Sequence, residues 1–374
     1  MYEDNYWKPP QRNTRRTLLD EFQRDKDCQL IHSGKHIGNK HYGQMESTLF
    51  IERLVKRVIA RQEPAFILHD NSEGYVGITE TTLGSQIFEA VSMVGLFDSS
   101  YDYSEHVLVF LHSTWLIAST YGIPLSDIEP DDVLAKIHYA DAMNDIVETI
   151  RHGANQEWFR RSIYDRDWEA KSKAEKIKAY TASICEYYES VTNVRVDLSY
   201  LETARPTITI DDVYSHLDQL LYLKDFDPLF KYLVGYVWHL EQGDQGKGFH
   251  IHCSFMFRGS EMSGDIKMGL AILSLWKRIT GSKGSGVSCN SNKHWYDKEK
   301  VAVGYNKRTN AQGVNNMINA NSYLAKAVQH LRIKPKARRA FGTGDKPDFH
   351  NKPGRKSQKA PTWRYSDNNF EFVI

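Results

Sequence analysis

The sequence predicts an α+β protein in which an all-helical first half precedes a domain built on an antiparallel sheet. Amphipathic helical patterns fill the first half, whereas the second half contains runs in which polar and apolar residues alternate, as in half-buried strands. Two of these runs flank a glycine-rich turn and predict a hairpin. We expect residues 1–188 to form a helical accessory domain, residues 189–335 the sheet domain, and residues 336–374 a basic tail.

Five helices are predicted before residue 189, because apolar residues recur there at the spacing of one helix face. Pro124 and Pro130 separate two of them. The predicted helices are Thr48–Ile59, Thr82–Leu96, Tyr103–Tyr121, Asp131–Arg151 and Ala170–Tyr188. No motif in this half has an evident chemical role. Recognition of DNA, contact with other proteins and dimerisation all remain open for it.

The predicted sheet domain begins with an alternating strand, Asn193–Tyr200. A helix follows, because Thr209 and Asp212 have the spacing of a capping box. After the hairpin, a helix that starts at Ser263 or Asp265 is predicted. Its expected buried residues are Ile266, Leu270, Leu273 and Trp276. Short strands at 286–289 and 301–305 then precede a final helix over 313–331.

The hairpin pairs Tyr236–Glu241 with Phe249–Phe257 and gathers possible metal ligands. If the turn centres on residues 245 and 246, Glu241 lies opposite His250 and His239 opposite His252. Side chains two residues apart share a face of a strand, so these four project from one side of the sheet. The opposite, core side is expected to contain Trp238, Leu240, Phe249 and Ile251.

A metal-binding site is the more specific interpretation of this face, and paired surface histidines without a ligand are the alternative. A His-x-His pair is a weak motif by itself, and a register slip of one residue would move one strand's polar set to the other face. Glu241 favours the metal site, because two imidazoles and a carboxylate leave positions on a divalent ion open for water and substrate.

The final predicted helix has an apolar stripe and an opposite polar face. The polar face comprises Asn316, Asn319, Tyr323, Lys326 and His330. Asparagine is a poor helix former, so its frequency here suggests a polar ligand. An ammonium near a phenol favours the phenolate, which makes Tyr323 with Lys326 a candidate nucleophile pair. An ordinary amphipathic tyrosine is the alternative.

In combination, the strand, the His-hydrophobic-His hairpin and the Y-x-x-K helix resemble the replication-initiator branch of the HUH endonucleases. The likeness covers roughly residues 193–336 and is greatest to inovirus-type replication proteins of filamentous phages and bacterial prophages. It implies a ferredoxin-like or RRM-like antiparallel sheet, with helices on one face and the metal site on the other. It also implies an enzyme that nicks single-stranded origin DNA, keeps the 5′ phosphate on a tyrosine, leaves a free 3′ hydroxyl and later rejoins the strand.

The resemblance assigns roles to individual residues. His250 and His252 match the histidine ligands, Glu241 the polar third ligand, Tyr323 the nucleophile and Lys326 its basic companion. His239 competes for the third position. A carboxylate suits the expected Mg²⁺ or Mn²⁺, whereas a third imidazole would favour zinc. A host helicase and polymerase are the implied partners, since no phosphate-binding loop for nucleotide hydrolysis is found.

Whole-chain properties narrow the function classes. A net charge of +1 argues against a protein that simply coats nucleic acid, although basic residues cluster from Arg332 onward. The absence of an apolar signal segment and of C-x-x-C spacing predicts a cytoplasmic protein without membrane insertion, and the resemblance implies a bacterial host cell. The rival classes are a mobilisation or transposition nickase, a non-haem iron oxygenase, and a noncatalytic DNA-binding regulator.

Overall fold

The computed structural model describes residues 43–70, 76–122, 133–243, 247–262, 264–325 and 330–348. The helices there are α1 (Gln44–Ala60), α2 (Thr82–Val91), α3 (Glu105–Tyr121), α4 (Val133–Ala154), α5 (Glu157–Tyr187), α6 (Ile210–Phe226), α7 (Asp265–Ile279) and α8 (Ala311–Ser322). The strands are β1 (Phe66–Asp70), β2 (Val76–Glu80), β3 (Tyr101–Tyr103), β4 (Ser190–Tyr200), β5 (Leu233–Gly243), β6 (Gly248–Arg258), β7 (Gly284–Ser288), β8 (Gly304–Lys307), β9 (Ile333–Pro335) and β10 (Phe341–Thr343).

The chain divides into two compact units. One comprises residues 1–165 and 332–337, and the other comprises residues 166–331 and 338–374. The predicted boundary was at residue 188, whereas the observed division falls inside α5, and the first unit also includes a short segment from late in the chain. A prediction that divides the chain at one point cannot assign such a distant segment to the first unit.

The first unit is mostly helical, but the prediction that it is all-helical was wrong. β1 and β2 pair as an antiparallel hairpin, and β3 pairs antiparallel with β9. Ile67 and Leu68 of β1 are both about two-fifths exposed, so the strand lacks the apolar and polar alternation by which strands are recognised. Within the described residues, no helix has the length and apolar content required to cross a bilayer.

The basic segment after residue 331 is partly built into the fold, which corrects the prediction of a tail from residue 336. Arg332 is buried and its Nε lies 2.7 Å from Glu52, while Arg338 contacts Asp218 at 2.6 Å. β10 pairs antiparallel with β5. These arginines therefore have carboxylate partners within the protein. The later basic residues, Lys352, Arg355, Lys356, Lys359 and Arg364, lie outside the described residues.

The second unit is built on a six-stranded antiparallel sheet, which confirms the α+β prediction. The strand order is β10-β5-β6-β4-β7, and β8 pairs with the first part of β4. The hairpin register is as predicted, with His239 opposite His252 and Glu241 opposite His250. The capping box that starts α6 is also confirmed, because Thr209 and Asp212 bond each other's backbone N–H groups.

One face of this sheet packs against α7. Trp276 is fully buried there and donates from its indole Nε1 to the Ser199 carbonyl at 2.8 Å. The predicted buried stripe of α7 was wrong at Ile266 and Leu270, which are 43% and 51% exposed. Gly269 faces the sheet instead, where a Cβ atom would overlap the Ser288 hydroxyl. The close approach at this glycine rotates the helix relative to the predicted stripe.

The opposite face, which contains the hairpin histidines, is also covered by helices. Its core cluster joins α5 and α8 to the sheet and comprises Ile177, Tyr180, Ile184, Cys185, Val191, Val237, Met256, Val314, Met317, Ile318, Leu324 and Ala325. The expectation of helices on one face only is therefore wrong. As a consequence, α8 ends on the same face as the candidate metal ligands.

Candidate metal and nucleophile site

Glu241, His250 and His252 form a group that could hold a metal ion. Oε2 of Glu241 lies 3.3 Å from Nε2 of His250 and 3.2 Å from Nε2 of His252. One ligand atom from each residue falls within 4.8 Å of the others. Glu241 is buried, and the two imidazoles are only 12% and 14% exposed. The three donors thus converge on one point, as the sequence predicted.

The atoms of these residues that face away from the centre are held by the protein. Nδ1 of His252 donates to Oδ1 of Asp197 at 2.5 Å, and Nδ1 of His250 donates to the carbonyl of Gly248 at 3.1 Å. These bonds turn Nε2 of each ring toward the centre, where Nε2 must give up the hydrogen it shares with Glu241 before it can bind a metal. Such outer partners fix the tautomer and orientation of metal-binding histidines.

His239 lies behind Glu241 rather than among the converging donors. Its Nδ1 lies 3.0 Å from Oε1 of Glu241, so it binds the carboxylate oxygen that is not turned toward His250 and His252. His239 is buried and does not line the pocket described below. This geometry favours Glu241 as the third ligand and makes His239 the group that orients it.

The side chains of this cluster shift one another's pKa values. Burial would raise the pKa of Glu241, but hydrogen bonds from His239, His250 and His252 outweigh it and hold that pKa far below its usual range. Burial would lower the pKa of His252, but the Asp197 and Glu241 carboxylates raise it to about 9. Burial lowers the pKa of His239 despite the bond to Glu241. Two carboxylates therefore face a protonated His252 when no cation is bound.

We expect the affinity for Mn²⁺ to increase with pH up to about 9. A metal requires the neutral imidazole of His252, so at lower pH the ion must displace a proton. The apparent Kd should fall by about tenfold per pH unit in that range. Asp197→Asn removes a carboxylate that raises the pKa of His252 and should shift this dependence to lower pH. Titration calorimetry in buffers of different ionisation enthalpy would measure the released proton, and a pH-independent Kd would contradict the expectation.

Tyr323 lies in the same pocket as the three candidate ligands. The pocket has a volume of about 280 Å³ and is lined by Arg195, Asp197, Ser199, Arg205, Glu241, Lys247, His250, His252, Val287, Tyr323 and Leu324. Tyr323 is half-buried and directly follows α8, as the first residue of a short 3-10 helix, Tyr323–Ala325. The neighbouring Leu324 belongs to the core cluster and anchors this segment on the sheet.

The predicted continuous helix over 313–331 is wrong, because α8 ends at Ser322. Lys326 lies outside the described residues, so its role as companion of Tyr323 stays a prediction. Of the predicted polar face, Tyr323 lines the pocket, whereas Asn316, Asn319 and His330 do not.

Two asparagines of α8, Asn316 and Asn321, have structural partners, which corrects for these two the inference that they bind a ligand. Nδ2 of Asn316 donates to the carbonyls of Glu299 at 2.6 Å and Val301 at 3.2 Å. Asn321 is fully buried, and its Nδ2 lies 3.4 Å from the hydroxyl of Thr181. These side chains hold α8 to the preceding loop and to α5.

Several pocket residues had no predicted role. Arg195, Asp197 and Ser199 alternate along β4, and the pairing of Asp197 with His252 places them on the ligand face. The alternation of this strand was visible in the sequence. Its neighbour in the sheet was not, because Asp197 and His252 are far apart in the chain. Arg205 begins a short 3-10 helix, Arg205–Thr207, and Lys247 lies in the hairpin turn, and neither segment is long enough for periodicity to indicate the direction of its side chains.

Comparison with known proteins places this fold in a family. No curated protein and no solved structure matches the chain. The model of the YagK/YfjJ C-terminal domain family matches residues 155–344, about half of the 374 residues, and this range includes all the pocket residues. The chain therefore belongs to the YagK/YfjJ C-terminal domain family.

Proposed function

We propose that this protein is a replication initiator that nicks single-stranded origin DNA through attack by Tyr323 on a phosphodiester. The observation that carries the proposal is that Tyr323 lines the same pocket as Glu241, His250 and His252. A tyrosine nucleophile and a group that can hold a divalent cation are the two components that this chemistry requires.

The donor set fits a divalent ion. One carboxylate and two neutral imidazoles supply three ligands, and Mg²⁺ or Mn²⁺ would keep further positions for water and phosphate oxygens. A bound ion would polarise the non-bridging oxygens of the attacked phosphate. The protein's own contribution is to hold the three donors in place through Asp197, His239 and the Gly248 carbonyl.

In the proposed step, the phenolic oxygen of Tyr323 forms a bond to phosphorus while the bond from phosphorus to the 3′ oxygen breaks. The phenolic proton passes to solvent, and the leaving 3′ oxygen takes up a proton to become a free hydroxyl. The 5′ phosphate stays on Tyr323 as a diester, so no net bond energy is lost. Attack by a 3′ hydroxyl on this diester releases the tyrosine and rejoins the strand without a nucleotide cofactor.

The connections of the sheet support the resemblance to HUH endonucleases. β4, α6, β5, β6, α7 and β7 follow one another in a β-α-β-β-α-β sequence, with sheet order β5-β6-β4-β7. This is the order of elements in ferredoxin-like folds. Helices on both faces are a departure from the expected pattern. Replication would also require partners of the host, namely a helicase to open the duplex and a polymerase to extend the 3′ end.

Three alternatives remain as outcomes of experiment. A mobilisation or transposition nickase would use the same residues on different DNA. A non-haem iron oxygenase would use the same two histidines and carboxylate but would give Tyr323 no role. A noncatalytic DNA-binding regulator would bind DNA without changing it.

The test is covalent capture of DNA by the full chain. We expect a single-stranded origin oligonucleotide, incubated with Mn²⁺, to give a protein adduct that survives denaturation. The adduct should carry a label placed 3′ of the cut but not a label placed 5′ of the cut. Chelation with EDTA should prevent adduct formation. An adduct that forms equally well in EDTA, or Fe²⁺-dependent turnover of a small molecule with no adduct, would contradict the proposal.

A further inference from the structure

Arg195 places a poorly compensated cation in the pocket. It lies two residues before Asp197 on β4, on the same face as the metal-binding group, and it lines the pocket with Tyr323. Its side chain is 15% exposed, and its Nε is buried with no hydrogen-bond partner among the described residues. A buried guanidinium with an unused donor is costly unless an anion binds it.

Asp197 serves as that anion only in part. Its Oδ1 is 3.7 Å from Nε of Arg195, which is beyond hydrogen-bonding distance. The same oxygen accepts the 2.5 Å hydrogen bond from Nδ1 of His252. Asp197 is therefore engaged in orienting a metal ligand and neutralises Arg195 only in part.

The backbone of Arg195 is held in a fixed position. Its N–H donates to Oδ1 of Asn290 at 2.9 Å, and Nδ2 of Asn290 donates in turn to the Asn193 carbonyl and to Asp265. The guanidinium thus projects from the centre of a sheet rather than from a loop. A site on such an element is preorganised for its ligand.

Further cations line the pocket toward the other end of β4. Nε of Arg205 donates to the Tyr200 carbonyl, and Lys247 lies in the hairpin turn beside His250. Ser199, which also lines the pocket, is four residues from Arg195, or about 13 Å along the strand. The metal-binding group lies between these positions. Positive charge on both sides of it suits a chain of consecutive phosphates better than one isolated phosphate ester.

We propose that Arg195 binds a phosphate next to the one attacked by Tyr323, and so determines which phosphate of the strand reaches the tyrosine. This inference rests on the proposed nicking function. The planar guanidinium can donate two parallel hydrogen bonds to phosphate oxygens. The substrate class is then a polynucleotide strand with at least two consecutive phosphates at the site.

The test is the salt dependence of binding, measured without chemistry. Fluorescence anisotropy of a labelled oligothymidine of about ten nucleotides is followed in EDTA, with Tyr323→Phe protein as the parent. Each phosphate neutralised on a single strand contributes about 0.7 to the slope of log K against log salt. We expect Arg195→Gln to reduce the slope by about 0.7 and affinity at low salt by about tenfold.

Two further variants separate a phosphate contact from a general effect. Arg195→Lys keeps the charge but loses the paired hydrogen bonds, so the slope should be retained while affinity decreases. Arg278→Gln removes an arginine of α7 that is 70% exposed and does not line the pocket, and it should leave the slope unchanged.

The outcomes distinguish this proposal from the proposed function. Equal slopes for Arg195→Gln and its parent, with binding intact, would overturn the role of Arg195 alone. Absence of oligonucleotide binding by the parent in EDTA would overturn the role of Arg195, and absence of binding in Mn²⁺ as well would overturn both proposals. If Arg195→Gln does not fold, Arg195→Lys decides, because unchanged affinity in that variant would contradict a paired phosphate contact.

Discussion

Tyr323→Phe is expected to abolish the covalent DNA adduct while leaving Mn²⁺ binding unchanged. The substitution removes only the phenolic oxygen, and the ring can remain against the pocket wall formed with Leu324. Without that oxygen no bond to phosphorus can form, so adduct formation should fall by at least about 1,000-fold. Denaturing gels of labelled oligonucleotide measure the amount of adduct, and titration calorimetry measures the affinity for Mn²⁺.

Tyr296→Phe is the matched control for this prediction. Tyr296 is partly buried and directly follows a 3-10 helix, Cys289–Trp295. It interacts with Arg195 and forms a hydrogen bond with Cys289, and burial raises the pKa of its hydroxyl. A protonated phenol that is already hydrogen-bonded is a poor nucleophile, so this variant should still form the adduct. An adduct that persists in Tyr323→Phe and disappears in Tyr296→Phe would transfer the nucleophilic role to Tyr296.

The hairpin was predictable because its determinants are local. The two strands are adjacent in the chain, each alternates with period two, and a short turn between them sets the register that pairs Glu241 with His250. The register alone places these polar side chains on one face of the hairpin, independently of the rest of the fold. This explains why the three candidate ligands could be named from the sequence.

The surroundings of the site were not predictable in the same way, because they depend on contacts between distant segments. The bond from His252 to Asp197 requires β4 to pair with β6. The position of Tyr323 depends on the core cluster in which α8 packs with Val237 and Met256, because Tyr323 directly follows that helix. Periodicity predicted a longer helix because it contains no information about that packing.

The role of asparagine in α8 illustrates the same limit. A low helix propensity was correctly read as a cost that some interaction must offset. For Asn316 that interaction is with the carbonyls of Glu299 and Val301, not with a ligand. Propensity can reveal that a partner exists, but the identity of the partner belongs to the tertiary structure.

Glu241→Gln is expected to weaken Mn²⁺ binding by at least about 100-fold. The change removes the anionic ligand whose Oε2 lies beside both Nε2 atoms. Loss of an outer partner of a metal ligand costs about 10-fold to 100-fold in affinity, so loss of the ligand's charge should cost no less than the upper end of that range. Glutamine preserves the side-chain volume, and calorimetry or the electron paramagnetic resonance signal of free Mn²⁺ would measure the effect.

His239→Gln is the comparison that distinguishes a metal ligand from a residue that only orients Glu241. It retains a hydrogen-bond donor for Oε1 of Glu241, which His239 contacts at 3.0 Å, so Mn²⁺ affinity should fall far less than in Glu241→Gln. Glu261→Gln, at an exposed carboxylate outside the cluster, should have no effect. A greater loss in His239→Gln than in Glu241→Gln would instead identify His239 as the third ligand. Because an all-nitrogen donor set favours zinc over Mg²⁺ or Mn²⁺, that result would also change the metal expected for the reaction.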